Sequence, residues 1–169
     1  MTLNGPSVAA KSGEARQLVI LCHGYGSDGN DLIALASHWQ RVMPDAAFIA
    51  PNAPQPCDGN PMGYQWFPIT RLDPAEIARG VEAAAPVLDR FIDEQLSLRG
   101  LEGSQLALVG FSQGTMMALH VGLRRAVPPQ RPRLSVKVGY YFNGIERPNM
   151  GNTCAYSTLL CAAPCALDT

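Results

Sequence analysis

The sequence predicts an α/β fold: a mostly parallel sheet with flanking helices, incomplete on its C-terminal side. Three observations carry this. Short, unbroken apolar runs recur at 18–22, 47–50 and 106–109, as strands buried on both faces require. Segments of helical period alternate with these runs, the pattern of a doubly wound parallel sheet. The character then changes at Pro128, where a proline-rich stretch begins.

Leu18-Val19-Ile20-Leu21-Cys22 reads as the first buried strand, and it runs into a glycine-rich loop. From Asp31 to Val42 the residues Leu32, Leu35, Ala36 and Trp39 have helical spacing. Ala47 to Ala50 is a second strand, ending at Pro51-Asn52-Ala53-Pro54. Residues 51–68 contain Pro51, Pro54, Pro56, Pro61 and Pro68 and are expected to form a long loop. Asp73-Pro74-Ala75-Glu76 is a helix start: Asp73 caps, Pro74 suits the first turn, and Glu76 reaches back to the cap. Ile77, Val81, Ala84, Leu88, Phe91 and Leu96 mark that helix's apolar side, Pro86 is expected to kink it, and Gly100 and Gly103 mark its end. Leu106-Ala107-Leu108-Val109 is the third buried strand, followed by a glycine turn and an apolar helix from Gln113 to about Arg125.

Residues 1–127 thus form a partial domain and 128–169 an atypical tail. In the tail Leu134, Val136, Val138, Tyr140 and Phe142 alternate with Ser135, Lys137, Gly139 and Tyr141. That is the period of a half-exposed edge strand, not of a buried parallel one. Asn143-Gly144 is a turn pair, and no periodicity follows it.

Composition narrows the function. A net charge of −1, from 13 basic and 14 acidic residues, gives no bulk attraction for nucleic acid. No secretory leader and no transmembrane run is visible, so a cytoplasmic protein is expected. Five cysteines read as free thiols, not as a disulfide framework. Cys154, Cys161 and Cys165 make a poor zinc site, with no C-x-x-C pair and no nearby histidine. No metal or cofactor is expected.

The chemistry lies in Gly110-Phe111-Ser112-Gln113-Gly114, a G-x-S-x-G nucleophile elbow between a strand and a helix. A strained turn lifts the Ser112 hydroxyl above the sheet, and the flanking glycines leave room for that backbone. The helix begins at the serine, so backbone N–H groups and a positive dipole end face a developing oxyanion. A second donor in such enzymes comes from a loop like His23-Gly24-Tyr25-Gly26, and the candidate pair is the N–H of Tyr25 with that of Gln113. His23 is expected to organise this loop by hydrogen bonding, and His38 to sit on a solvated helix face. Gly24-Tyr25-Gly26-Ser27-Asp28-Gly29 also spells G-x-G-x-x-G. A dinucleotide site would need an acidic residue after the second strand, and Ala50-Pro51-Asn52 supplies none. A dinucleotide-binding oxidoreductase is therefore the weakest of the alternatives.

Four motifs in order resemble the phospholipase/carboxylesterase family, which includes acyl-protein thioesterases. They are Leu21–Gly29, Pro51-Asn52-Ala53-Pro54, Trp66-Phe67 and Gly110–Gly114, and the resemblance runs from about Leu18 to Arg125. It implies an α/β-hydrolase type fold and hydrolysis of small acyl esters or thioesters. It implies Ser112 as nucleophile, Tyr25 and Gln113 as oxyanion donors, and Trp66 and Phe67 beside the acyl pocket; plain core packing of those two rings is the other reading.

The sequence departs from the family after Ser112. Serine attacks only when a histidine takes its proton and a carboxylate holds that histidine, and in this fold both follow the serine. The acids considered after it are Glu146 and Asp168, and the one later histidine is His120, eight positions on (120 − 112) along the next helix. At about 1.5 Å per residue it lies roughly 12 Å down the axis, out of reach. No further parallel strand, Asp-bearing loop or Gly-His pair is expected. Either a change of reading frame near Pro128 leaves an unrelated tail, or the chain is a shortened relative that binds acyl groups without turning them over.

Overall fold

A computed structural model of the chain describes residues 3–71 and 73–125, and the backbone of 135–138. Its main sheet has the order β1-β3-β2-β6-β7. The members are β1 (Ser7–Val8), β2 (Gln17–Cys22), β3 (Ala46–Ile49), β6 (Leu106–Gly110) and β7 (Ser135–Val138). β2 pairs in parallel with both β3 and β6, β6 in parallel with β7, and only β1 runs antiparallel, against β3.

β2 lies between β3 and β6 and is buried from Leu18 to Cys22. Its residues alternate between two cores, as the two-residue period of a strand demands. Leu18, Ile20 and Cys22 join one core with helices α3 (Pro74–Ser97) and α4 (Gln113–Arg124). Val19 and Leu21 join the other with α1 (Gly29–Ile33) and α2 (Leu35–Trp39). The chain leaves β2 toward one face and β6 toward the other. Between two such neighbours an open α/β sheet has its crevice, at the carboxyl ends of the strands, and here those ends carry the loop with Tyr25 and the turn with Ser112.

The expected helix over 31–42 is instead two short ones. Asp28 starts α1 early, its carboxylate accepting from the N–H groups of Asn30 and Asp31. Only Ala36 of α2 is buried and Leu35 faces solvent, so no continuous apolar stripe holds one long helix. α3 forms as expected on a buried face of Val81, Ala84, Leu88, Phe91, Ile92, Gln95 and Leu96, and it continues through Pro86. Pro86 and Glu82 are both exposed, so the Glu82 carbonyl that loses its helical donor meets water. Asp73 caps Ala75. Glu76 does not close a box on the cap; it binds the Thr70 hydroxyl and the Thr70 and Arg71 N–H groups.

Two expectations are corrected. The 51–68 segment is not all loop: β4 (Gln55–Cys57) and β5 (Asn60–Gln65) form an antiparallel hairpin around Asp58-Gly59, a pair suited to tight hairpin turns. Pro56 and Pro61 are tolerated because a two-stranded ribbon leaves one side of each strand unpaired. And a parallel strand does follow α4. β7 pairs Ala107 to Ser135 through Gly110 to Val138, so the sheet continues past the elbow. Its two-residue alternation reflects its place at the end of the described sheet, bonded on one side only. The Asn143-Gly144 turn and the tail cysteines lie outside the described residues.

Candidate active site

Ser112 occupies the turn between β6 and α4 with φ 49° and ψ −115°, and it alone among the described non-glycine residues has positive φ. Such a conformation costs on the order of 1–3 kcal/mol and persists only where its surroundings enforce it. The enforcement is visible in the glycines. A Cβ on Gly110 would lie 2.4 Å from the Gly114 carbonyl oxygen, and one on Gly114 would lie 2.0 Å from the Cys22 carbonyl oxygen. The start of α4 thus presses directly on the end of β2, and Phe111 N–H donates to the Cys22 carbonyl at 2.9 Å. Ser112 is exposed at the top of this contact.

The first turn of α4 spends its N–H groups unevenly. Gly114 donates to the Phe111 carbonyl, and Thr115 and Met116 to that of Ser112. The Gln113 N–H has no carbonyl acceptor among the described residues. The loop after β2 approaches from the other side: a Cβ on Gly24 would sit 3.3 Å from Ser112 Cβ and 2.9 Å from the Phe111 ring. Gly24 to Ser27 form a turn closed by Ser27 N–H to the Gly24 carbonyl at 3.3 Å, with Gly26 at φ 76°, where glycine carries no Cβ penalty.

The hairpin braces this loop. Gly26 N–H donates to the Tyr64 carbonyl at 2.9 Å, Tyr64 N–H to the Ser27 carbonyl at 2.8 Å, and Asn60 Nδ2 to the Gly26 carbonyl at 2.8 Å. The neighbouring Cys57 thiol is the chief cause that raises the pKa of the Tyr25 hydroxyl, and the Gly59 backbone opposes that shift. Sequence reasoning missed this brace; its one signal was Asp58-Gly59 inside the proline-rich stretch.

Gln113 is 1% exposed, and both ends of its side-chain amide are hydrogen-bonded. Oε1 accepts from Trp66 N–H at 2.9 Å, and Nε2 donates to the Phe67 carbonyl at 2.8 Å. Trp66 and Phe67 are themselves buried, at 1% and 2%. The Trp66 indole donates to the His23 carbonyl at 3.0 Å. The Phe67 ring rests on α3, where a Cβ on Gly80 would come within 2.3 Å of it. Both rings belong to the core behind the elbow.

His23 is fully buried and does organise the loop. Its Nε2 accepts from Ala53 N–H at 2.9 Å, and its Nδ1 meets the Gly24 carbonyl at 2.7 Å. Burial pushes its pKa down; the bond to Gly24 and the charges of Asp28 and Asp31 oppose that shift. The native state therefore holds His23 neutral where an unfolded chain would protonate it. Stability is expected to fall as pH drops below the ordinary histidine value of 6.5. Urea unfolding across mildly acidic pH checks this, and His23→Gln should flatten the dependence.

The other two histidines lie apart from Ser112. His38 is exposed on α2, on the opposite face of the sheet, with Nδ1 3.2 Å from the Ser37 hydroxyl. His120 lies in the second half of α4 and lines a cavity between α3 and α4 of about 380 Å³ with Pro86, Asp89 and Arg124. Arg125 closes that region by ion pairs to Asp89 and Asp93. Cys22 is no substitute nucleophile, since burial pushes its thiol up to about 12. The G-x-G-x-x-G stretch holds no open phosphate cradle at Gly29: its N–H is taken by Asn52 Oδ1 at 2.9 Å, and a Cβ there would meet the Ala50 carbonyl oxygen at 2.0 Å.

A mostly parallel sheet with helices on both faces, carrying a serine elbow at its crevice, defines an α/β-hydrolase. The chain belongs to the phospholipase/carboxylesterase family, which matches it over residues 3–131. It is similar to acyl-protein thioesterase 1 of Saccharomyces cerevisiae, 32% identical over 127 residues, covering 69% of this chain and 56% of that one. It is also similar to esterase YpfH of Escherichia coli, 30% identical over 105 residues, covering 62% of this chain and 45% of the other. Among solved structures, that of esterase PE8 is 52% identical with a TM-score of 0.71 over 73% of this chain and 59% of that chain. The chain spans about half the length of the curated relatives it matches. Among the described residues no helix is long and apolar enough to cross a membrane.

Proposed function

We propose that the chain carries the nucleophile and oxyanion half of a carboxylic ester or thioester hydrolase. The Ser112 hydroxyl attacks the acyl carbonyl, and the N–H groups of Tyr25 and Gln113 receive the developing oxyanion. The observation that carries this is the exposed Ser112 at positive φ beside a Gln113 N–H that has no carbonyl acceptor among the described residues. Trp66 and Phe67 back the acyl pocket from the core, and the substrate is a small acyl ester or thioester. The free, buried thiols of Cys22 and Cys57 suit the reducing cytoplasm. The division into a hydrolase part, 1–127, and a tail, 128–169, belongs to the same proposal, with β7 joining the sheet from beyond the division.

In the 169-residue chain turnover is slow, because each of its three histidines is committed or remote. This also gives the second reading its support: an acyl-binding remnant that does not turn over. The test is hydrolysis of p-nitrophenyl esters by the parent and by Ser112→Ala. The parent should show a small rate above buffer, since oxyanion donors and binding alone leave roughly 10³–10⁴-fold over water, and the alanine variant should lose it. An alanine variant as fast as the parent removes Ser112 from the site; a parent with no rate above buffer favours the remnant.

A further inference from the structure

The His23 ring has one donor and one acceptor when neutral, and its surroundings decide which nitrogen is which. Ala53 N–H can only donate, so Nε2, 2.9 Å away, must accept. The proton is thereby assigned to Nδ1, which donates to the Gly24 carbonyl at 2.7 Å. That carbonyl also accepts from Ser27 N–H at 3.3 Å, so both of its lone pairs are engaged. The Gly24 carbonyl and the Tyr25 N–H belong to one planar trans peptide and point in opposite directions. Whatever fixes the carbonyl therefore aims the N–H.

We infer that His23 is a positioning residue: through its Nδ1–H bond to the Gly24 carbonyl it sets the Gly24–Tyr25 peptide plane and so aims the Tyr25 N–H at the crevice above Ser112. This rests on the reading of Tyr25 as an oxyanion donor. The role extends to the other donor by a buried relay. Gln113 binds the Trp66 backbone, the Trp66 indole binds the His23 carbonyl, and His23 binds the carbonyl of Gly24. One run of hydrogen bonds spans the residues that carry the two N–H groups, so their separation is fixed before any acyl group arrives. Preorganisation of this kind is where oxyanion stabilisation gets most of its effect. The ring is packed against Tyr64 and Trp66, and the acids whose charge reaches it are Asp28 and Asp31.

The ring's two ends can be separated by substitution. In His23→Asn the amide nitrogen stands near the Nδ1 position and still donates to Gly24, while the acceptor for Ala53 is lost. In His23→Gln the amide oxygen stands near Nε2 and accepts from Ala53, while the donor to Gly24 is lost. The readout is the rate at which an alkyl fluorophosphonate labels Ser112, with thermal unfolding measured alongside. The phosphonyl group develops charge on its oxygen as Ser112 Oγ bonds to phosphorus, the hydroxyl proton passes to solvent water and fluoride leaves, so the rate reports the donors without needing acyl turnover.

The Gln variant should label about 10- to 100-fold more slowly than the parent, below the loss for deleting a donor outright. The Asn variant should stay within about threefold of the parent, whatever the two variants' melting temperatures. Equal losses in both variants, or no loss in the Gln variant, would overturn the positioning role while leaving Ser112 in place. Unchanged labelling in Ser112→Ala would sink the underlying reading and this inference with it. Should the variants not fold, nitrogen-15 spectra of the parent's imidazoles decide: a proton on Nδ1 with a bare Nε2 is expected, and a proton on Nε2 at neutral pH overturns the assignment.

Discussion

Replacing the residues after Arg125 with the C-terminal half of a complete family esterase is expected to raise p-nitrophenyl ester turnover by roughly 10⁴- to 10⁶-fold over the 169-residue chain. The size follows from what a catalytic base contributes. Ser112 stands on its elbow and the Gln113 N–H has no carbonyl acceptor among the described residues, and on the proposed reading none of the three histidines serves Ser112 as a base. His23 is bonded at both nitrogens, His38 is on the far face, and His120 is down α4 beside Arg124. A graft that brings an Asp and a His over the carboxyl end of β6 would, on the proposed reading, supply the proton acceptor for Ser112. β6 and α4 are already built to receive it, because α4 packs on α3 and β6 pairs with a parallel neighbour. Steady-state kinetics on the purified graft checks this. A soluble, folded graft that turns over no faster than the parent would mean the elbow is not competent.

Gln113→Ala is expected to cost about 2–6 kcal/mol of folding stability. Its side chain satisfies the Trp66 N–H and the Phe67 carbonyl at 2.9 and 2.8 Å, and truncation leaves both groups unpaired in the core. Each such group costs about 1–3 kcal/mol. Domain stabilities run to only about 5–15 kcal/mol, so the loss is a large fraction of the whole. Gln113→Glu sharpens the test. A carboxylate still accepts from Trp66 but turns an oxygen toward the Phe67 carbonyl, whereas the protonated acid can donate to it. The buried acid's folded pKa is raised above its unfolded value, so the Glu variant should regain stability as pH falls and lose it as pH rises. Urea unfolding reads both variants. An alanine variant within about 0.5 kcal/mol of the parent, the range of an ordinary surface change, would remove Gln113 as the clamp.

The parts legible in the sequence were those that local physics determines. β2, β3 and β6 are buried on both faces and therefore read as unbroken apolar runs. α3 and α4 carry one wide apolar stripe each and declare themselves by period. The elbow was legible because its glycines answer to a backbone constraint, and Gly110 and Gly114 do abut carbonyl oxygens within 2.5 Å of where a Cβ would be. The family followed from those motifs.

What escaped depends on contacts between distant residues. The β4–β5 hairpin gains its order from bonds to Gly26 and Ser27, more than thirty positions away, and its prolines masked the Asp58-Gly59 turn. The direction of β7 is set by its partner β6, and an alternating pattern does not say which way a strand runs. The clamp of Gln113 on Trp66 and Phe67 spans 47 and 46 positions. Nothing in G-x-S-x-G distinguishes a glutamine that lends its backbone from one that also lends its side chain.

The central claim is that Ser112 is a nucleophile with its oxyanion donors in place but without its base. It is tested most directly by incubating the 169-residue chain with an alkyl fluorophosphonate and mapping the adduct by peptide mass spectrometry over time. The account predicts a single adduct on Ser112 that accumulates slowly, with ester turnover in the same preparation far below the ordinary enzyme rate of about 10 s⁻¹. An adduct on another residue with Ser112 unmodified, or rapid labelling together with turnover near that ordinary rate, would contradict it.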